Sequence, residues 1–325
     1  MTVNATGAGP AIGRRTADPG EPTPVIEVRG LTKRYGSTVA VDGIDLTVHG
    51  SEIFALLGPN GAGKTTTLEM LEGYRRPDAG TVSVFGEDPA RAGLDWRARI
   101  GLVLQTSKLP EELTVTELVG RYAGYYPHPR DVDETIELVG LTDKRRARAG
   151  RLSGGQQRRL DVAIALVGDP DLVFLDEPTT GFDPAARRQA WSMVENLRTL
   201  GKTVLLTTHY MDEAEELADR VAVIVAGRVV AQGTPETVGG RDTAPVRLSF
   251  VRPRLADGDR LRLAAIGDVA QDGDRVVLTA PDAGRATGQL VDWARDTGDP
   301  LTGLEIRRPS LEDVYLTLAT GRAPR

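Results

Sequence analysis

The chain has 325 residues, 40 % of them hydrophobic, with 46 acidic against 40 basic side chains and a formal net charge of −6. This length predicts one large domain plus a small one, with enough apolar content for a full core. The acidic balance, with 35 Arg, five Lys and no long cationic run, argues against nucleic acid as the main partner, zero Cys excludes disulfides, thiolate metal sites and a cysteine nucleophile, and three scattered His offer no metal cluster.

Residues 1–24 are rich in Gly, Ala, Pro and Thr, and Arg14-Arg15 is followed by Thr16-Ala17-Asp18 rather than an apolar stretch. This predicts a disordered leader, not a secretion signal. Val25–Val28 and Val39–Val48 read as strands. Between them stands Tyr35, a flat aromatic able to stack on an adenine ring; on residue type alone a tyrosine packed at a strand edge explains it better, and only the motifs downstream reverse that.

The apolar run Ile53–Leu57 leads into Gly58-Pro59-Asn60-Gly61-Ala62-Gly63-Lys64-Thr65, followed by Thr66-Thr67-Leu68-Glu69-Met70-Leu71. This reads as strand, phosphate loop, helix. The spacing G-x-x-x-x-G-K-[ST] lets bare backbone N–H groups close around phosphate oxygens, while the helix N-terminus presents its partial positive charge to the same anion. Lys64 is placed for the outer phosphates and the Thr65 hydroxyl for a Mg²⁺ ion; Thr66 is a further hydroxyl at the site. The alternative is an ordinary glycine-rich turn.

Arg76–Gly80 predicts a turn, Thr81–Phe85 a strand, and Ile100–Leu104 a strand ending in Gln105. A glutamine there suits a metal shell or a γ-phosphate sensor, or is an ordinary loop amide. From Thr114 the pattern turns helical, with capping-box spacing at Thr114–Glu117 and a second helix near Val132–Val139. Leu152-Ser153-Gly154-Gly155-Gln156 then opens a long helix and repeats the physics of the phosphate loop: a hydroxyl and glycine N–H groups at a helix start. Two such cradles in one chain suggest ATP sandwiched between two copies, each giving one cradle.

Leu172-Val173-Phe174-Leu175 reads as a strand buried on both faces that delivers Asp176 and Glu177 to the C-terminal edge of a parallel sheet. Asp176 is assigned to Mg²⁺ and Glu177 to the attacking water. A turn containing Asp183-Pro184 starts a helix over 185–200, and the strand Thr203–Thr208 ends in His209, placed to hydrogen-bond a γ-phosphate and the water. Helix Met211–Ala218 and a hairpin of Val221–Val225 with Arg228–Gln232 follow. No segment reaches the roughly 20 apolar residues of a membrane-crossing helix.

Residues 25 to about 238 resemble the ATP-binding subunit of ABC transporters, with every motif in the family's order: aromatic Tyr35, Walker A at 58–65, Gln105 of the Q-loop, the signature at 152–156, Walker B at 172–177, the D-loop around Asp183 and the switch His209. Phe182 stands where the family usually has leucine. The resemblance implies an α/β P-loop NTPase core of ABC ATPase type with a helical subdomain at about 106–160. It implies two copies closing on ATP and Mg²⁺, with Lys64, Thr65, Gln105, Asp176, Glu177 and His209 on one side and Ser153, Gly154 and Gly155 from the other. It also implies a transmembrane permease partner docked on the helical insertion, at the cytoplasmic face of the membrane.

Residues 241–325 hold thirteen Arg, no Lys and thirteen acids, with strands predicted at Val246–Phe250 and Val276–Leu278, a helix at Ala283–Asp296 and an apolar pattern over Leu311–Leu318. These predict a small α+β accessory domain. Its ending, Pro309–Leu316, is similar to that of drug-exporter ATPases of the daunorubicin-resistance type, which implies an exporter of a hydrophobic drug, lipid or glycan. An importer ATPase and a soluble ABC ATPase acting on ribosomes or nucleic acid are the alternatives.

Overall fold

The structure, a computed structural model, describes residues 24–105 and 108–320; the expected leader lies, but for Pro24, outside the described residues. β1 (Pro24–Tyr35) and β2 (Thr38–His49) form a long antiparallel hairpin. β3 (Ile53–Leu57) leads through the glycine loop to α1 (Lys64–Leu71), and β4 (Ala79–Val84) returns to the free side of β1, completing a three-stranded sheet ordered β2-β1-β4. α2 (Leu94–Ala98) and β5 (Ile100–Val103) precede the helical insertion, which comprises α3 (Val115–Ala123), α4 (Val132–Leu138) and the start of α5 (Gly154–Leu166). Then come β6 (Leu172–Asp176), α6 (Pro184–Thr199), β7 (Thr203–Thr208), α7 (Met211–Leu217), β8 (Arg220–Val225) and β9 (Arg228–Gly233). Six strands make one sheet in the order β5-β6-β7-β3-β8-β9, parallel except for the closing β8–β9 hairpin.

The apolar runs explain that sheet. Successive side chains of a strand point to opposite faces, so a strand apolar at every position feeds two cores. Ile53, Ala55 and Leu57 of β3, with Val173 and Leu175 of β6, join the helices on one face. Phe54, Leu56, Leu172 and Phe174 meet the inner face of the three-stranded sheet on the other. Local caps fix where the helices start. The Thr114 hydroxyl accepts the Glu117 N–H while the Glu117 carboxylate accepts the Thr114 N–H, which is the expected capping box of α3.

A four-stranded antiparallel sheet follows, ordered β11-β12-β10-β13, from β10 (Val246–Val251), β11 (Asp268–Asp272), β12 (Arg275–Ala280) and β13 (Glu305–Arg307). With α8 (Asp257–Ala264) and α9 (Ala283–Thr297) it encloses a separate core around Phe250, Leu278, Leu290 and Trp293. The last helix, α10 (Leu311–Thr320), leaves this unit: Leu311 is buried in the core of the parallel-sheet unit, and its N–H donates to Glu215 of α7 at 3.0 Å. Arg241 secures the same corner through Glu215 at 2.9 Å and the Pro309 carbonyl at 2.9 Å. Among the described residues no helix is long and apolar enough to cross a membrane.

Candidate functional site

The loop between β3 and α1 is shaped by what surrounds it. Gly63 has φ +102°, and a Cβ there would lie 2.2 Å from the Ala40 carbonyl oxygen of β2; at Gly58 a Cβ would lie 2.4 Å from the Ile224 carbonyl oxygen. Both contacts are with backbone, which cannot swing aside, so only glycine lets the loop seat between β2 and β8. The Gly58 N–H donates to the Thr208 carbonyl at 3.2 Å, tying the loop to the strand that ends in His209.

Lys64, 4 % exposed, turns back into the loop, donating to the carbonyls of Gly58 at 2.9 Å and Pro59 at 3.1 Å. Its ammonium lies 3.3 Å from Glu177. The Thr65 hydroxyl stands 3.4 Å from both oxygens of Asp176, so the two residues assigned to a metal face each other across the loop. The Thr207 hydroxyl donates to Asp176 at 2.5 Å and accepts the Glu177 N–H at 3.0 Å. Glu177 adopts φ +44°, a left-handed conformation unusual for a residue with a Cβ. That turn aims its carboxylate at Lys64, at the Thr180 hydroxyl, which donates at 3.0 Å, and at His209 Nδ1, 3.4 Å away. Burial alone would push the Glu177 carboxyl up, but the Thr180 hydroxyl, Lys64 and His209 together hold it below the usual carboxylate range. It is therefore ionised at neutral pH. His209 Nδ1 is buried and not aligned for a hydrogen bond to any of these groups.

The second cradle lies elsewhere. Ser153, Gly154 and Gly155 line an open cleft of about 1060 Å³ with Gln105, Glu177 and Asp183, and no residue of the phosphate loop lines it. Ser153 caps α5: its hydroxyl oxygen accepts the Gln156 N–H at 3.4 Å, and the Gln156 amide oxygen accepts the Ser153 N–H at 3.0 Å. The serine thus spends an acceptor on the cap and keeps its O–H to donate. Asp183 caps α6, accepting the N–H groups of Ala185 and Ala186 at 2.9 Å each, with Pro184 in the first turn. Gln105 is exposed and makes no hydrogen bond to Thr65 or Asp176 among the described residues; Thr66 is half-buried on α1. Tyr35 sits at the tip of the β1–β2 hairpin, 41 % exposed, with the Arg75 guanidinium 5.3 Å from its ring centre.

Several groups at the site had no motif to announce them. Thr207 and Thr180 are ordinary threonines in sequence. Glu72, at the end of α1, is buried; burial, then Asp176 and Glu69, pushes its carboxyl up to about 8. The capping box at Ser153 was available as the spacing S-x-x-Q, the same signal that marked Thr114.

The residues fit nucleotide on their own evidence: a backbone cradle that excludes a Cβ, a helix N-terminus, and a buried lysine directed into the loop. A hydroxyl and a carboxylate across from each other make a sparse all-oxygen donor set, which suits Mg²⁺, an ion that keeps most of its waters. This loop, sheet order and acidic pair define a P-loop ATPase of the ATP-binding cassette type. A profile of the ABC transporter family matches residues 41–180, and one for the C-terminal domain of ABC transporter domain-containing protein-like sequences matches residues 246–310. The daunorubicin/doxorubicin resistance ATP-binding protein DrrA of Streptomyces peucetius is 42 % identical over 314 residues, spanning 92 % of this chain and 93 % of that one. Nod factor export ATP-binding protein I of Ralstonia nicotianae is 40 % identical over 311 residues, spanning 93 % and 96 %. Among solved structures, cbiO1 of Clostridium perfringens, part of the ABC transporter complex cbiONQ, superposes with a TM-score of 0.61 at 30 % identity, over 66 % of this chain and 89 % of that one. The ADP conformation of MJ1267, an ATP-binding cassette of an ABC transporter, gives 0.58 at 26 % identity, over 66 % and 92 %. The chain belongs to the ABC transporter ATP-binding family and is an ATP-hydrolysing cassette.

Proposed function

We propose that this cassette powers a membrane exporter, with a hydrophobic drug, lipid or glycan as cargo, from the cytoplasmic face of the membrane and bound to a transmembrane permease. Support for export comes from relatives named for drug resistance and Nod factor export, which match over nine-tenths of the chain and therefore include its C-terminal unit. Nucleic acid has no place in this reading, consistent with the net charge of −6.

One observation carries the chemistry: Lys64 and His209 both approach the Glu177 carboxylate, at 3.3 and 3.4 Å, beside the Thr65–Asp176 pair. ATP phosphates entering the loop compete for the Lys64 ammonium and release the Glu177 carboxylate to orient water in line with the γ-phosphate. Thr65 and Asp176, joined by Gln105, would hold a Mg²⁺ ion, which when bound would supply neutralisation of charge on the phosphoryl oxygens. His209 steadies the γ-phosphate, Tyr35 stacks on the adenine, and Asp183 serves the dimer contact.

Ser153, Gly154 and Gly155 line a cleft that no phosphate-loop residue lines, which supports the reading that they, with Gln156 of the same signature, act on the ATP of a second copy. Shifting such a pair from 1:99 to 99:1 closed takes about 5.5 kcal/mol of differential binding, which ATP touching both copies supplies and ADP, without γ-phosphate contacts, does not. The test of the exporter reading is affinity capture of Glu177→Gln with ATP and Mg²⁺ from detergent-solubilised membranes of the source organism. Recovery of a polytopic membrane protein is expected; recovery of ribosomes or soluble proteins alone contradicts it.

A further inference from the structure

Arg158 lies one turn into α5, the helix that the signature opens, and is 9 % exposed. Its guanidinium is spent on backbone. Nη2 donates to the Asp176 carbonyl at 2.8 Å, Nε to the Pro178 carbonyl at 3.3 Å, and Nη1 to the Leu104 carbonyl. These three acceptors are not arbitrary. The carbonyls of residues 176 and 178 bracket Glu177, whose φ of +44° needs to be held from outside, and the carbonyl of Leu104 immediately precedes Gln105. One planar fork therefore ties the helix bearing Ser153–Gly155 to the turn carrying the water-orienting carboxylate and to the loop carrying Gln105.

We infer that Arg158 is a positioning residue that holds Glu177 in its left-handed turn and couples one ATP site to the other, because the signature end of its helix serves the partner's nucleotide. The coupling half of this inference rests on the paired reading above; the Glu177 half rests on this chain alone. A closing movement that shifts the start of α5 pulls on three carbonyls at the edge of the sheet. A signature engaged by the partner's γ-phosphate is thereby felt at Glu177 and Gln105 of the same chain.

The test compares Arg158→Lys and Arg158→Gln with the parent, measuring kcat, KM, the Hill coefficient for ATP, fluorescent ATP-analogue affinity and melting temperature. Lysine keeps charge and stem but not the fork, so it cannot span three carbonyls. The expected result for Arg158→Lys is a kcat lowered about 10- to 100-fold, as for an angstrom-scale misplacement of a reacting group, with analogue affinity within about threefold of the parent. The Hill coefficient falls from near two toward one. Arg158→Gln is expected to lose more kcat, and if it fails to fold the lysine variant decides. Parental kcat and cooperativity in Arg158→Lys overturn the proposal. So does a melting temperature and an analogue affinity that collapse together with kcat, the signature of a merely structural arginine. A parental Hill coefficient of one refutes the paired reading, and with it the coupling half, while the kcat of Arg158→Lys still decides the role at Glu177.

Discussion

Two glycines of the phosphate loop separate dihedral cost from steric cost. Gly61 and Gly63 both have positive φ, +80° and +102°, yet a Cβ at 61 meets nothing within 4 Å, whereas at 63 it stands 2.2 Å from the Ala40 carbonyl oxygen. Alanine at 61 therefore carries only the left-handed penalty, about 1–2 kcal/mol. Alanine at 63 carries the same penalty and must also open about 1 Å between the loop and β2, because real Cβ contacts do not fall below 3.0 Å. The Ala40 carbonyl is already crowded, since a Cβ at Gly227 would also lie only 2.9 Å from it. We expect Gly63→Ala to cost about 2–5 kcal/mol, the left-handed penalty plus the cost of an overpacked site, and to weaken ATP binding by roughly 100-fold through the displaced Lys64. Urea denaturation of both variants without nucleotide, followed by fluorescent ATP-analogue titration, reads the two effects. Equal stability loss in the two variants, or Gly63→Ala binding like the parent, would refute the argument.

Lys64→Ala should retain the fold and lose nucleotide affinity, since its ammonium contacts loop carbonyls and Glu177 rather than the apolar cores; parental ATP affinity by calorimetry contradicts the phosphate role. Glu72 gives a pH prediction. Its carboxyl is raised from 4.5 to about 8, so between those values the folded chain holds a proton that the unfolded chain releases, and stability falls as pH rises through the window. The full effect is on the order of 5 kcal/mol as an upper bound. In EDTA, Glu72→Gln should flatten the pH dependence of the urea midpoint between pH 5 and 8.5, and an unchanged slope sinks the prediction. Phe174, fully buried between the two sheets, should cost about 3–5 kcal/mol on truncation to alanine, measured by the same denaturation.

What the sequence disclosed and what it withheld follow from how local each cause is. The phosphate loop was legible because its glycines, lysine and helix start lie within eight consecutive positions. β3, β6, β7 and β8 were legible because strands buried on both faces must be apolar throughout. The C-terminal unit was read only in part: β10, β12 and α9 carry apolar patterns, but β11 (Asp268–Asp272) and β13 (Glu305–Arg307) are polar edge strands held by pairing. α10 shows an apolar pattern that says nothing of its target, and it packs on α7 rather than within the accessory unit. Within the site, Thr207, Glu72 and Arg158 matter through what they meet across more than a dozen residues of chain, or through burial, and neither is written in local spacing.

On the proposed mechanism, two copies of this cassette close on ATP and open after hydrolysis. Analytical ultracentrifugation of Glu177→Gln tests this most directly, with ATP and Mg²⁺, with ADP and Mg²⁺, and with neither. A dimer is expected with ATP and Mg²⁺ only, monomers otherwise, and an ATPase rate reduced by at least about 100-fold. A protein that binds ATP yet stays monomeric, or a Glu177→Gln variant that turns over ATP like the parent, contradicts it.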